Sequence, residues 1–298
     1  MGPLRWVPVP ELPEVEITAR RLTATLAGAE VESAVAPGMV ALKSVDPPLG
    51  ALQGMEIAGV RRVGKMPVVE FDVAPGNDSG GRLALLVHLM SAGRLQVFDD
   101  RASVRDRRSR VLIRLADGRE LRLREFGTRQ RAWAKLLAAG GVQGDEMVAT
   151  LGPEVWPAPA LEELARAVDQ PRHLHPMLRD QRVIAGVGRS WVDEILWEAG
   201  LSPFKRGADL EDEEVERLHA ALGVLGGAIE HYEQVIGDRV PDKLPMPLRV
   251  HKREGEPCPR CGTRLEAVHF AEHTMTYCPD EQTEGRVLKD RRLSRLLK

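Results

Sequence analysis

The sequence lacks the features of membrane-spanning and exported proteins. None of the apolar runs in its 298 residues reaches the length of a bilayer span, and the opening residues, MGPLRW, lack the basic-then-apolar layout of a signal peptide. The composition, 43% hydrophobic and 29% charged, shows no bias towards disorder. We therefore expect a cytoplasmic globular protein, long enough for two domains that each bury a core.

A net positive charge is also absent. The chain has 42 Lys and Arg against 44 Asp and Glu, which gives a formal net charge of -2. This balance excludes nucleic-acid binding through overall charge alone, so any DNA-binding face has to come from segregation of charges. Arginines do crowd residues 101–110, basic side chains crowd residues 289–298, and acidic side chains crowd residues 209–216. Each cluster on its own is equally compatible with a solvated face.

Residues 10–16, PELPEVE, place a proline and a carboxylate directly before a helix. Pro13 fits the first turn, where its missing N–H costs nothing. Apolar residues then recur at helical spacing, at Val15, Ala19, Leu22 and Leu26. We expect residues 10 and 11 to form an extended arm that this buried helix holds in place.

The stretch from residue 29 to residue 127 has the pattern of short strands. Alternation of apolar and polar residues predicts strands over residues 31–35, 66–73, 83–89 and 94–98. A hairpin turn at Asp117-Gly118 joins two more, over residues 111–115 and 120–123. Together these strands predict an antiparallel sandwich.

The second half of the chain has a helical pattern. Glycines and prolines in residues 136–160 indicate an interdomain linker. Helices are then predicted over residues 161–168, 177–184, 190–199 and 209–234. The glycine turn IAGVG at residues 184–188 precedes a helix start, so several backbone N–H groups point outward and form a general anion site.

Three motifs in this order resemble the formamidopyrimidine-DNA glycosylase / endonuclease VIII family. They are the Pro-Glu opening at residues 10–11, the REFG loop at residues 124–127, and IAGVGRSWVDEIL at residues 184–196, which is close to the family's helix-two-turn-helix. The resemblance covers nearly the whole chain, from Pro10 to Lys298. It implies an α+β protein of two domains: an N-terminal helix plus an antiparallel β-sandwich, then a helical helix-two-turn-helix domain with a zinc-finger-like β-hairpin.

The resemblance also sets the expected domain boundaries. Residues 10–135 would be the catalytic sandwich, residues 136–160 the linker and residues 161–245 the helix-two-turn-helix domain. Residues 246–298 would be the zinc-finger-like hairpin. Residues 1–9 would be an extension or a misassigned start.

In the family, the free secondary amine of an N-terminal proline is the nucleophile, which implies catalytic roles for Pro10 and Glu11. Residues 1–9 matter here, because an imide nitrogen inside a chain has no nucleophilic lone pair. Val9 stands where the family has its initiator Met, and a GTG start codon translated from further upstream would be written as Val. Glu11 is placed to shuttle a proton to the sugar ring oxygen or from the prolyl nitrogen. Glu14 either supports the arm or lies as a carboxylate at the positive end of the helix dipole.

The family's DNA contacts map onto both halves of the chain. Lys65 and His88 match residues that hold phosphates around the lesion, and the resemblance places Lys65 with Pro10 and Glu11 among the catalytic residues. Taken alone, Lys65 also fits an ordinary exposed Lys, and His88 a buried core His. Arg124 and Phe126 match the residues that, with a Met, fill the gap left by the flipped nucleotide. The family's His-Leu-Gly-Met is HLMS here, so Met90 stands one place early and Ser91 takes the place of the wedge Met.

Two phosphate contacts differ from the family pattern. Arg189 replaces a family Asn whose amide touches phosphate, and a guanidinium can keep that contact with a different geometry. His273 replaces a family arginine on the finger. Since a neutral imidazole is a weaker clamp than its protonated form, we expect DNA affinity to fall from pH 6 to pH 8 through His273.

The three cysteines have the spacing of part of a Cys₄ zinc ribbon. Cys258, Cys261 and Cys278 would supply three thiolates, and Glu281 stands in the fourth place. His269 and His273 are alternative fourth ligands. A metal-free hairpin held by packing and a redox role stay open, although a Cys-x-x-Cys without a βαβ context argues against the latter.

These observations predict a bifunctional DNA glycosylase and AP lyase of base excision repair. It would act as a monomer on double-stranded DNA with an oxidised base or an abasic site, in the cytoplasm at the nucleoid, with Zn²⁺ as the metal. The opening PELPE favours the branch of the family that acts on oxidised purines. The alternative is a damaged-DNA-binding protein without catalysis, in which residues 1–9 leave Pro10 blocked. A zinc protein of unrelated fold is disfavoured by the ordered match across both domains.

Overall fold

The computed structural model describes residues 9–37, 40–73, 81–126, 130–270 and 273–288. The chain forms two compact units. The first contains the residues up to 149 together with residues 231–245, and the second contains residues 150–230 and those from 246 onward. None of the helices in the described part of the chain is long and apolar enough to cross a membrane.

Helix α1 spans Leu12–Leu26 and begins as the sequence predicts. Glu11 is the extended N-cap residue, Pro13 lies in the first turn, and the Glu14 carboxylate accepts a hydrogen bond from the Glu11 backbone N–H at 2.9 Å. The apolar side of the helix is completely buried, with Val15 and Leu26 both 0% exposed. The arm that precedes α1 is therefore fixed by a well-packed helix.

Two four-stranded antiparallel sheets form the predicted sandwich. One has the order β1-β6-β7-β5, with β1 Val31–Val35, β5 Gly93–Phe98, β6 Ser109–Leu115 and β7 Glu120–Glu125. The other has the order β2-β3-β4-β8, with β2 Met55–Val63, β3 Met66–Val73, β4 Leu83–His88 and β8 Trp133–Ala138. The turn between β6 and β7 contains Gly118 at φ 93°, which confirms the predicted hairpin. Apolar residues of both sheets pack with α1 in one core.

Strands β2 and β8 were not predicted from the sequence. β2 pairs with β3 in a register that shifts between Ile57 and Gly59, and this irregularity interrupts strict alternation. β8 pairs with β4 along its whole length, from Trp133 to Ala138, and so extends into the predicted linker.

The helices are α2 Leu161–Val168, α3 Leu174–Leu178, α4 Arg189–Glu198, α5 Asp212–Ala221 and α6 Gly223–Val235. A hairpin of β9 Glu266–His269 and β10 Thr274–Tyr277 follows, and then α7 Pro279–Thr283. Helices α2 and α4 confirm two predictions.

Two helix predictions were wrong. The helix expected over residues 177–184 ends at Leu178, because the carboxylate of Asp180 accepts the Arg182 N–H at 3.2 Å and forms a turn instead. The helix expected over residues 209–234 is two helices, separated at Leu222, whose N–H bonds back to the carbonyl of His219 at 3.1 Å.

Candidate functional site

The amino-terminal arm ends in a small internal cavity. Pro10 is buried, and it lines a cavity of about 20 Å³ together with Glu14, Arg94 and Leu244. That volume is enough for one water molecule and far too small for a nucleobase. The cavity can therefore hold water but not a nucleobase.

Glu14 holds the arm in place. Its Oε2 accepts the Glu11 N–H at 2.9 Å and its Oε1 accepts the hydroxyl of Tyr232 at 2.6 Å. Burial and the charge of Glu14 raise the pKa of Tyr232, so the phenol stays a neutral donor. Of the two roles considered for Glu14, support of the arm is the one that these two hydrogen bonds favour. Tyr232 was missed because nothing local in the sequence connects it to a residue 218 positions away.

Arg94 brings a cation to the same cavity. Its Nε donates to the Asp242 carbonyl at 3.0 Å and its NH1 donates to the Gly93 carbonyl at 2.7 Å. Burial lowers the pKa of Arg94, while Asp242 and Glu14 oppose that effect. The guanidinium is thus fixed by carbonyl groups, and its place in the cavity that Pro10 lines was not predicted.

Lys65 and His88, both predicted phosphate contacts, lie close together. Lys65 is at the turn between β2 and β3, and His88 is the last residue of β4. The His88 ring stacks on Trp133 at a centroid distance of 5.3 Å, and its Nδ1 accepts the Met90 N–H at 3.0 Å. Burial and the charge of Lys65 lower the pKa of His88, so the ring is neutral near pH 7. Its proton then lies on Nε2, which leaves that nitrogen as a donor.

The loop after His88 contains Met90 in the left-handed region, at φ 50°. Its tightness is evident at Gly93, where a Cβ would lie 2.4 Å from the Leu89 carbonyl oxygen. Met90 therefore has a left-handed backbone at the place where the family has Gly. Its side chain is partly exposed, and the next residue, Ser91, is exposed.

Arg124 and Phe126 belong to a stack of alternating cations and rings. The Arg124 guanidinium lies 4.8 Å from the ring centre of Phe126 and 5.1 Å from that of Phe98, and Arg108 lies 5.5 Å from Phe126. The carboxylate of Asp242 pairs with Arg124 at 3.3 Å. The structure thus brings the two predicted plug residues into contact and holds the arginine between two rings. Residue 127 of the motif lies outside the described residues.

In the second unit, Arg189 is the exposed first residue of α4 and follows the predicted glycine turn. Gly186 in this turn has φ 116°, and its N–H donates to the Gln181 side chain at 3.0 Å. The turn therefore has the conformation that the glycine pattern indicates.

Two buried carboxylates on α4 fix the neighbouring segments. Asp193, 1% exposed, bonds to His175 at 3.1 Å and to His251 at 2.7 Å. Burial opposes ionisation of Asp193, but the bonds from both histidines bring its pKa below the usual value. Glu194, whose pKa is raised by burial, accepts three consecutive backbone N–H groups at 3.0, 2.9 and 2.8 Å, those of Arg249, Val250 and His251. Neither role was predicted, because both depend on residues distant in the sequence.

His273 is enclosed by two rings. Phe270 stacks against it at 4.6 Å and His175 at 5.9 Å, measured between ring centroids. Burial, together with the charge of Arg179, lowers the pKa of His273 to about 4. A pKa this low keeps the ring neutral between pH 6 and pH 8 in the protein without DNA, which counts against the expected pH-dependent clamp.

The three cysteines form one cluster, with sulfur atoms all within 4.8 Å of one another. The Cys258 sulfur also accepts the Trp197 indole N–H at 3.4 Å. Glu281 is not in this cluster: its carboxylate accepts a hydrogen bond from Arg260 at 3.2 Å, and its backbone N–H bonds to Cys278. His269 pairs with Glu254 at 3.1 Å instead. Three soft donors close together fit zinc, and among the described residues no fourth ligand joins them.

Comparisons with known proteins agree with this architecture. The model of the formamidopyrimidine-DNA glycosylase N-terminal domain matches residues 9–130, and that of the formamidopyrimidine-DNA glycosylase H2TH domain matches residues 151–239. The formamidopyrimidine-DNA glycosylase of Roseiflexus sp. is 32% identical over 92% of this chain and 100% of its own length. That of Moorella thermoacetica is 34% identical over 87% of this chain and 94% of its own.

Solved structures give the same result. The MutM (Fpg) protein of Thermus thermophilus superimposes with a TM-score of 0.76 at 31% identity, over 93% of this chain and 100% of its own. The Lactococcus lactis Fpg in complex with DNA that contains N7-benzyl-Fapy-dG gives 0.79 at 26% identity, over 92% of this chain and 100% of its own. The chain belongs to the formamidopyrimidine-DNA glycosylase family.

Proposed function

We propose that this protein is a bifunctional DNA glycosylase and AP lyase that excises oxidised bases through the amine of Pro10. The observation that carries the proposal is the arm itself: the Glu14 carboxylate accepts the backbone N–H of Glu11, and Arg94 lines the same small cavity as Pro10. A nearby cation lowers the pKa of an amine, which favours the unprotonated nucleophile at neutral pH.

The reaction follows from these groups. The lone pair of the prolyl nitrogen forms a bond to C1′ while the C1′–base bond breaks. The electron pair of the broken C1′–base bond leaves with the base. Opening of the sugar ring, with protonation of its oxygen, gives an iminium between Pro10 and C1′. Removal of a proton from C2′ then eliminates the 3′-phosphate and cuts the strand. Glu11 is the group that moves the proton at the ring oxygen or the prolyl nitrogen.

The remaining predicted contacts support a distorted duplex. Lys65 and the Nε2 of His88 supply a charge and a neutral donor for phosphates next to the lesion. Arg124 and Phe126 fill the space that the flipped nucleotide leaves, which offsets an unstacking cost of a few kcal/mol. The substrate is double-stranded DNA with an oxidised purine or an abasic site, as the opening PELPE favours.

This chemistry requires a free Pro10 amine. The family-model match begins at residue 9, directly before Pro10. Removal of the residues that precede Pro10 would expose its amine. The second candidate function is a damaged-DNA-binding protein without catalysis, and it is favoured by the nine residues that precede Pro10 in the sequence.

One experiment separates the two functions. The protein is expressed from its own gene context, its intact mass and N-terminal sequence are measured, and the sample is reduced with borohydride in the presence of abasic-site DNA. We expect a chain that begins at Pro10 and a covalent adduct on that residue. A chain that begins at residue 1 or 2 and forms no adduct would establish the binding function instead.

The cysteine cluster is the zinc site of this proposal. Cys258, Cys261 and Cys278 would hold Zn²⁺ as thiolates, and the metal would stabilise the hairpin of β9 and β10 rather than take part in catalysis. Glu281 can complete the site only if its carboxylate leaves Arg260. We place the protein in the cytoplasm at the nucleoid, where its DNA substrate is found, and expect it to act as a monomer.

A further inference from the structure

We infer that Trp197 is a positioning residue of the cysteine cluster, and that its indole N–H holds the Cys258 sulfur in place for a metal ion. Trp197 does not bind the metal itself, and the sequence patterns did not identify it. The inference rests on the proposed function for the presence of Zn²⁺. The contacts that carry it lie within the second unit and belong to the protein alone.

The indole N–H of Trp197 has a sulfur atom as its hydrogen-bond partner. Trp197 lies on α4 and is 3% exposed, and its Nε1 donates to the Cys258 Sγ at 3.4 Å. The sulfur of a neutral thiol is a weak acceptor, whereas hydrogen bonds to a charged acceptor are roughly twice as strong. The contact is therefore strongest when Cys258 is a thiolate, which is the form that binds a metal.

Two arginines hold the Trp197 ring in its orientation. The guanidinium carbons of Arg249 and Arg260 lie 4.5 and 4.3 Å from the ring centre. Both arginines pair with the carboxylate of Glu198, at 2.9 and 3.3 Å. Arg260 also donates to the Trp197 carbonyl at 3.3 Å. Since the ring cannot turn without loss of these contacts, the direction of its N–H is fixed.

The backbone of Cys258 is fixed as well. Its N–H donates to the Thr263 carbonyl at 2.8 Å, and its carbonyl accepts the Gly262 N–H at 2.9 Å. The Cys258 side chain is buried in one apolar cluster with Trp197 and Leu265, whereas Cys261 is exposed. The backbone and the indole thus fix the Cys258 sulfur together, so it has one position before a metal binds.

Glu281 stays outside the cluster for a reason that involves the same residues. Arg260, which packs on the Trp197 ring, pairs with the Glu281 carboxylate at 3.2 Å. The contacts that fix the indole therefore also hold this carboxylate in an ion pair, which leaves three thiolates for the metal. A site with three thiolates gains less from the metal than a site with four, so its affinity depends more on how firmly each sulfur is held beforehand.

The test compares the Zn²⁺ affinity of wild type and Trp197→Phe by competition with a chromophoric chelator. Phenylalanine keeps a ring in the apolar cluster but removes the N–H, so we expect the affinity to fall about tenfold. In the Co²⁺-substituted protein, the sulfur-to-cobalt charge-transfer band should move to longer wavelength, because a sulfur without this hydrogen bond releases its electron more easily. A residue that only packs against the cluster would change stability and leave this band in place.

A second variant separates the N–H from the size of the ring. Replacement of Trp197 by 3-benzothienylalanine, in which a sulfur atom takes the place of the indole N–H, keeps the shape of the side chain. It should show the same loss of affinity and the same band shift. Trp191→Phe is the matched control, since Trp191 is also buried on α4 but lies on a different face of the helix. This control should lose stability and keep the Zn²⁺ affinity and the band of wild type.

Wild-type Zn²⁺ affinity in the benzothienyl variant would overturn the inference, and so would a loss of equal size in Trp191→Phe. In both cases the zinc site itself would stand. If the wild type binds neither Zn²⁺ nor Co²⁺, the proposed zinc site fails and the role of Trp197 fails with it. The borohydride adduct on Pro10 tests the catalytic function independently of these outcomes.

Discussion

Met90 shows how a single residue can combine strain with function. Its left-handed φ of 50° costs about 1 kcal/mol relative to glycine, yet its partly exposed side chain stands beside the place of the family's wedge Met. The His88 Nδ1 accepts the Met90 N–H, so the conformation is fixed by the same histidine that is predicted to contact phosphate. We interpret Met90 as the third member of the plug with Arg124 and Phe126.

Met90→Gly should therefore raise stability and lower activity on duplex DNA. Relief of the strain adds about 1 kcal/mol to the free energy of unfolding, measured in urea. Loss of the wedge should slow base removal from a duplex roughly tenfold, because flipping is no longer offset, and should leave single-stranded substrate unaffected. Ser91→Ala serves as the control with wild-type rates. Equal rates for wild type and Met90→Gly on the duplex would contradict the wedge role.

His273 links stability to pH in a defined direction. Burial, with the charges of Arg179 and Arg189, holds its folded-state pKa at about 4, below the ordinary value of 6.5. The folded state therefore binds fewer protons than the unfolded state between those values, and the stability that the neutral ring contributes is lost as pH falls from 6.5 to 4. Above pH 6.5 the contribution is fully present.

The measurement is the free energy of unfolding at about pH 7 and about pH 4.5 for wild type and His273→Gln. We expect the decrease between the two pH values to be smaller in the variant. DNA affinity from pH 6 to pH 8 should run in parallel for the two proteins, since the ring does not titrate there. A wild-type profile that is steeper than that of the variant between pH 6 and pH 8 would contradict the low pKa.

At the scale of elements, the sequence patterns predicted those helices, strands and turns that interactions between neighbouring residues determine. Helix α1, the sandwich and the β6–β7 turn follow from apolar spacing, Pro13 and Gly118, and the structure confirms them. β2 was missed where its register is irregular, and the break at Leu222 was missed because the sequence around it keeps a helical pattern. For the site, the motifs identified Lys65 and His88 as candidates, and the structure brings them close together. The motifs did not identify the contacts of Tyr232, Arg94 and Asp193, since their partners are distant in the sequence.

The finger element gives a prediction of its own. Glu281 lies on α7 next to the cysteine cluster but pairs with Arg260, so three thiolates are left to bind the metal. Glu281→Cys supplies a fourth thiolate at the place where the family has one, and we expect zinc affinity to rise at least about tenfold. Competition with a chromophoric chelator measures this affinity, and the melting temperature with zinc should rise as well.

Glu281→Gln is the control for that variant, because it breaks the ion pair with Arg260 without a new thiolate. It should keep zinc affinity close to that of wild type. If Glu281→Cys and Glu281→Gln bind zinc equally, the fourth position of the cluster is not accessible from residue 281.

At the scale of the whole molecule, the first unit is assembled from two distant parts of the chain. Residues 231–245 pack with it, and Tyr232, Ile236, Val240 and Leu244 form one buried cluster with Ile17 of α1. The same segment supplies the Tyr232 hydroxyl to Glu14 and the Asp242 carbonyl to Arg94. The surroundings of Pro10 and Glu14 therefore include residues from the end of α6 and from the segment that follows it, so the sandwich alone does not supply them all.

A fragment of residues 10–149 should not fold stably by itself. Burial of four large side chains contributes up to about 6–12 kcal/mol, which is comparable to the entire stability of a typical domain. The same fragment joined through a Gly/Ser linker to residues 231–245 recovers those contacts and should show a cooperative urea transition. Both fragments are compared by circular dichroism and by binding of a hydrophobic dye, which should be strong only for the shorter one. If the two fragments unfold at the same urea concentration, residues 231–245 cover the site without stabilising the fold. In that case α1 alone holds the arm of Pro10 and Glu11.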